Sequence, residues 1–152
     1  MKDQAHEWHQ KYGATLFNRS WELIERADRT ADEDAEMLLA AATSRWHWGQ
    51  IGGPEEITGG DWQVAHVSSL LGFGDLARFF AERNLRVATD EQWDGWRLAS
   101  AHEGMARACS AAGDVDGRER HLARAQEALD REPDDENRQV IAEQLASVPE
   151  IS

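Results

Sequence analysis

Two stretches of the chain carry the same pattern and limit what it can fold into. Leu71-Gly72-Phe73-Gly74-Asp75-Leu76-Ala77 runs on to Leu85, and Ala112-Gly113-Asp114-Val115-Asp116 runs on to Ala125 and Leu129. In each, an apolar helix stops at a glycine and a second amphipathic helix begins within a few residues. The two glycines lie 41 positions apart, within the range of helical-hairpin repeats. A chain built this way is expected to be a stack of helix pairs.

Spacings of i, i+3, i+4 dominate and alternating patterns are scarce, so the whole chain reads as all-α. A first helix is expected over about 4–27, with Trp8, Tyr12, Leu16, Trp21 and Ile24 as its buried stripe and Gly13 as a weak point costing ~1 kcal/mol relative to alanine. Thr30 and Glu33 have the spacing of a capping box. The second helix is expected over about 31–50, with Leu38, Ala42 and Trp46 facing the core. Gly52-Gly53-Pro54 stops it. Beyond that point two readings stand: one helix from Pro54, which suits a first turn, or a loop followed by a shorter helix 62–71 capped by Asp61.

A fourth helix is expected over about 75–88, with Ala77, Ala81 and Leu85 on one face. The fifth, about 90–112, is expected to start at a Thr89/Asp90 cap and to carry Trp93, Trp96, Leu98, Ala101, Met105 and Cys109. A sixth follows over about 114–130. Pro133 opens a charged last helix, about 134–146, of the kind that closes a stack with one face in water. These seven helices form a single domain of 152 residues: pairs at about 4–50, 54–88 and 90–132, then a capping helix at 134–147.

Charge and composition remove several function classes. The net charge of −13, from 29 acidic against 16 basic residues with no basic cluster, repels phosphate backbones and argues against nucleic-acid binding. No apolar run approaches the ~20 residues that span a bilayer, so no membrane role is expected. The lone Cys109 has no partner for a bridge, and the first twenty residues are polar with no apolar signal-peptide core; both point to the cytoplasm. Seven tryptophans stand out. Their plainer role is to fill wide grooves between alanine-rich helices, and their sharper one is to line a ligand groove.

The hairpins resemble tetratricopeptide repeats. With Gly72 and Gly113 set at the glycine between that repeat's helices, Ala65 and Ala106 fall on the small position of the first helix and Ala77 on that of the second. Arg118 takes the latter place in the later hairpin, and the 41-residue spacing exceeds the family's 34. The runs Ser44-Arg45-Trp46-His47-Trp48-Gly49-Gln50, Asp61-Trp62-Gln63 and Ala101-His102-Glu103 are similar to small stand-alone bacterial proteins of tetratricopeptide-like type. The likeness extends over roughly Leu16 to Leu145. It implies antiparallel helix pairs stacked as a right-handed superhelix, with the first helices lining a concave groove.

Transferred by the same alignment, the groove offsets fall on Trp62, His66 and Ser69, then on Ser100, Glu103, Arg107 and Ser110. The ligand surface is therefore expected at Trp62, His66, Glu103 and Arg107, with Trp46 and His47 at its edge. A protein or peptide partner, acidic or amide-bearing, or a small polar ligand suits that set, on a monomer or homodimer. His66→Ala and Arg107→Ala are expected to weaken binding and leave the fold intact. The plainer reading makes Glu103 and Arg107 an i, i+4 surface pair worth ~0.3–0.5 kcal/mol.

The rival class is a small metal-assisted or acid–base enzyme using His66 and Glu103. His47, His66 and His102, read as sitting on three successive first helices, are a candidate ligand set with Glu103 beside them. No spaced motif such as His-Glu-x-x-His supports it, so no catalytic residue, metal or cofactor is assigned. His6 and His9, at i, i+3, read as a solvated pair. Cys109 reads as buried and inert, and Gly72-Phe73-Gly74 lacks the strand and lysine of a phosphate loop.

Overall fold

The computed structural model describes residues 2–152. Among them the chain forms seven helices and no strand: α1 (Lys2–Ile24), α2 (Ala31–Ile51), α3 (Pro54–Leu70), α4 (Gly74–Asp90), α5 (Gly95–Ala112), α6 (Val115–Asp130) and α7 (Asp135–Ala146). Short connections make each consecutive pair antiparallel neighbours. Each of α1, α3, α5 and α7 touches the next of that set, whereas α2, α4 and α6 do not touch one another. The result is an inner row of four helices backed by an outer row of three. None of the helices is long and apolar enough to cross a membrane.

The matching glycines make matching turns. Gly72 and Gly113 have φ of 79° and 76°, a left-handed conformation that glycine enters without a Cβ clash. Gly72 N donates to Ser69 O and Phe73 N to Ser68 O, while Gly113 N donates to Ser110 O and Asp114 N to Cys109 O. Donors and acceptors are displaced by the same 41 positions, so one Schellman turn is used twice. A third copy ends α4, where Gln92 N donates to Thr89 O and Trp93 N to Ala88 O. There Gln92, with φ of 54°, stands where the other turns have glycine.

That third turn corrects the expected start of the fifth helix. Thr89 and Asp90 belong to the end of α4, and Asp94 is the N-cap of α5. α1 stops at Ile24, short of residue 27, where Arg29 donates to the carbonyls of Leu23, Ile24 and Arg26. Of the two readings after Pro54, the single helix is found: α3 runs through Gly59-Gly60, and Asp61 lies inside it rather than capping it. Thr30, Asp114 and Asp134 are N-caps, accepting from the amides of Glu33, Gly117 and Asn137.

The packing faces differ from the expected stripes in a consistent way. On α1 the buried residues are Gly13, Ser20 and Leu23, while Trp8 and Tyr12 are largely exposed. On α2 they are Met37, Ala40, Ala41, Ser44 and His47, whereas Ala42 and Trp46 face outward. Small residues let the two backbones come close, and Ser44 Oγ then donates to Gly13 O at 2.6 Å and Ser20 Oγ to Met37 O at 3.2 Å. Trp8, Tyr12 and Trp46 are displaced to the margins of that contact, while Leu23 and Met37 are buried. Three small clusters form the core, one centred on Leu23, Met37 and Val67, the next on Ala77, Ala81 and Met105, the last on Ala99, Leu129 and Ile141.

Candidate functional site

α5 packs against α3, α4, α6 and α7, so residues 101–109 are buried without a break. That enclosure decides the fate of two expected groove residues. Glu103 is fully buried and Arg107 nearly so. Arg107 Nε donates to Glu103 Oε1 at 2.8 Å, and Trp62 Nε1 donates to Glu103 Oε2 at 3.0 Å. Arg107 Nη2 donates to Gln144 O and to Ser147 Oγ, at the end of α7. One carboxylate and one guanidinium thus join α3, α5 and α7, and both Glu103 oxygens are engaged. Burial pushes the Glu103 carboxyl above its ordinary range, with Arg107 and then Trp62 pulling the other way.

His66 lies behind the same wall. Its ring packs between Trp21 and Trp62, at centroid distances of 5.9 and 5.0 Å. Burial, reinforced by the nearby Arg107 charge, holds its pKa down at about 3, so it is neutral across the physiological range. Its Nδ1 is buried and has no partner among the described residues.

Trp46 and His47 lie elsewhere. His47 is on α2, the second helix of the first pair, and is enclosed by Trp8, Tyr12, Trp46 and His9, whose Nδ1 is 2.9 Å from His47 Nδ1. His102 makes a similar contact with His121 of α6 at 3.0 Å. Burial lowers the pKa of His47, and that of His102 to about 4. The three histidines therefore occupy three separate environments. Among the described residues no cluster of three or more His, Cys, Asp or Glu has the placement to hold a metal ion.

What remains open on the inner row is a cleft of about 310 Å³ between α1, α3, the start of α5 and α7. Its aromatic walls are Phe17, Trp62, Trp93 and Trp96, and α7 adds the exposed Val140 and the buried Ile141. Of the residues expected from sequence, Trp62 and Ser100 line it. A second opening of about 260 Å³ adjoins it, shares Phe17 and Gly59, and reaches Asn18 and Trp48. A Cβ added at Gly59 would meet nothing within 4 Å, so the meeting point of the two openings is free space. The C-terminal half of the expected groove is closed off: Ser69, Arg107 and Ser110 line a separate opening of about 240 Å³ walled by Pro149 and Glu150.

Several devices fix the cleft walls. The bond to Glu103 orients the Trp62 indole, whose ring also packs on Trp21 at 5.6 Å. Trp96 N donates to Glu132 Oε2 at 2.8 Å, so a buried carboxylate from the α6–α7 connection caps α5 and anchors the rim. Gly95 makes room for it: φ is 62°, and a Cβ there would lie 2.5 Å from Glu132 Oε2. At the mouth, the Arg97 guanidinium lies 5.3 Å from the ring centroids of both Trp93 and Trp96 and pairs with Glu55 at 2.9 Å.

Two carboxamides in this cleft lack partners. Asn84 of α4 is 6% exposed and lines the cleft, with no side-chain hydrogen bond among the described residues. Gln144 Oε1, also in the lining residues, is buried and unpartnered. Asn84 carried no distinguishing sequence feature beyond its place on the alanine stripe Ala77, Ala81 and Ala88, where a carboxamide interrupts small apolar residues. Trp93, expected on the fifth helix, lies instead in the connection before it, because the turn at Gln92 delays the helix start to Gly95.

On the opposite side of α3, Asp61 is almost fully buried, with Arg45 Nε at 2.6 Å and Arg83 Nε at 3.7 Å. Burial raises its pKa and the two arginines oppose the shift. It ties α3 to α2 and α4, away from the cleft. Arg118, which departs from the repeat pattern, donates to the carbonyls of Pro149 and Val148 and holds the C-terminal segment against the last pair.

No family model, no curated protein and no solved structure matches the chain.

Proposed function

We propose that the chain is a tetratricopeptide-like binding module that takes a peptide in extended conformation along the open part of its inner row. The observation that carries this reading is the pair of adjoining openings, lined by aromatic rings together with the unpartnered carboxamide of Asn84. A carboxamide set deep among rings offers an acceptor and two donors to a polar atom of an inserted side chain. Aromatic walls supply contact area for an apolar side chain at low entropic cost. The alternation of inner and outer helices and the repeated turn support the repeat reading; the acidic surface and lone cysteine support a cytoplasmic setting with a non-nucleic-acid partner.

The test uses the free space at Gly59. Gly59→Phe projects a ring into the junction of the openings, and exchanging a mid-helix glycine for another residue does not weaken the helix. Peptides selected from a displayed random library on the wild-type protein are expected to bind it in calorimetry and to lose at least tenfold in affinity for Gly59→Phe, with the melting temperature maintained. Selected peptides that bind both proteins equally refute the groove as the site.

A further inference from the structure

The chemistry of the cleft interior names the side chain that a bound peptide inserts there; this rests on the reading of the cleft as a peptide site. We propose that the anchor is a tyrosine, its ring against Trp62, Trp93, Trp96 and Phe17 and its phenolic hydroxyl on Asn84.

Four aromatic rings from three helices and a connection surround the space, an arrangement that favours edge-to-face and offset contacts with a planar ring. A purely hydrocarbon side chain meets a difficulty inside. Asn84 is more than nine-tenths buried, and its carboxamide has no protein partner among the described residues, so in the free protein its hydrogen bonds go to water in the cleft. A ligand that fills the cleft expels that water. Unless it replaces the bonds, a buried donor and acceptor are left unmade. The inserted group must therefore be planar and apolar along its length and must end in an atom that donates and accepts. A phenol meets both conditions. A phenylalanine ring meets the first alone, and an indole N–H donates without accepting. Sites built to bond a ligand hydroxyl discriminate against the analogue lacking it far more strongly than apolar pockets discriminate by a methylene.

The charged groups of the lining do not compete for this role. Arg97 is held at the mouth by two rings and Glu55, and the pair is neutral as a whole. Asn84 projects from the outer-row helix α4, so its position is set by the Ala77, Ala81 and Ala88 contact with the inner row and does not depend on the rim.

The experiment compares N-acetyl-L-tyrosinamide with N-acetyl-L-phenylalaninamide, titrated into ¹⁵N-labelled protein up to about ten millimolar, with the indole N–H signals of Trp62, Trp93 and Trp96 as the readout. The tyrosine probe is expected to bind at least tenfold more tightly, and Asn84→Leu to abolish or invert that ratio. Equal shifts from both probes, or a preference for phenylalanine in the wild-type protein, overturn the tyrosine anchor and leave the cleft as a binding site. Absence of any shift at the three indoles also overturns the anchor, while the selected peptides and Gly59→Phe decide separately whether the groove binds at all. The wild-type ratio decides the matter even if Asn84→Leu does not fold.

Discussion

Arg107→Met removes a guanidinium and keeps most of its aliphatic stem, so it isolates the polar contribution of the wall behind the cleft. The substitution leaves Glu103 sealed from solvent with Trp62 Nε1 as its remaining partner and deprives Gln144 O and Ser147 Oγ of a donor. Breaking a buried ion pair from one side typically costs 3–5 kcal/mol, because the orphaned charge stays buried. We take about 4 kcal/mol here, a large share of the roughly 5–15 kcal/mol that holds a domain together. At about 2–4 °C per kcal/mol this is roughly 8–16 °C in melting temperature. Replacing Glu103 as well, in Arg107→Met/Glu103→Gln, removes the orphan charge and is expected to recover about half of the loss, since an amide still accepts from Trp62.

The pH dependence supplies a second handle. Burial raises the folded-state pKa of Glu103 above its unfolded value, and the loss of Arg107 raises it further. The folded state therefore holds a proton that the unfolded state has released, so stability from this group falls as pH rises from the ordinary glutamate range through the raised value. The penalty of Arg107→Met is accordingly largest at neutral pH and shrinks toward pH 4. Thermal and urea denaturation followed by tryptophan fluorescence at pH 7 and pH 5 measure both. A variant melting within 2 °C of the wild-type protein, or a double variant no more stable than the single one, refutes the reasoning. The sequence by itself expects the opposite, an Arg107 variant that folds normally and binds poorly.

Three other outcomes are expected. Gln92→Gly, at the turn where a side chain occupies a left-handed conformation, stabilises by about 0.5–1 kcal/mol in urea denaturation, whereas Gly113→Ala loses about 1 kcal/mol. Acidification destabilises through His66: its folded pKa of about 3 lies below the ordinary 6.5, so stability is intact above pH 6.5 and declines as pH falls toward 3, by about 2 kcal/mol at pH 5; His66→Phe should flatten that part of the stability–pH curve. Arg118→Ala frees the carbonyls of Val148 and Pro149, and hydrogen exchange of residues 148–152 is expected to quicken without a change in α1–α4.

Sequence by itself determined the helices and the turns between them. Glycines, prolines and capping side chains act within a few residues of themselves, so Gly72, Gly113, Thr30 and Pro133 announced helix ends that the structure contains. The misplaced start of the fifth helix has the same origin: the turn at Gln92 uses the glycine geometry without the glycine. Which face each helix buries was decided by the tertiary structure. Periodicity assigns the core to every large apolar residue of the stripe, yet the closest approach of α1 and α2 takes Gly13, Ser20 and Ser44, buries Leu23 and Met37 beside them, and leaves Trp8 and Trp46 outside. The candidate site divides the same way. Trp62 was legible because its inner-row position follows from the repeated turn. Glu103 and Arg107 share that row, but α7 lies over them and makes an interior pair of what the pattern presented as a groove. Asn84 and Arg97 needed the full assembly, since the space they face exists only where α1, α3, α5 and α7 fail to close upon one another.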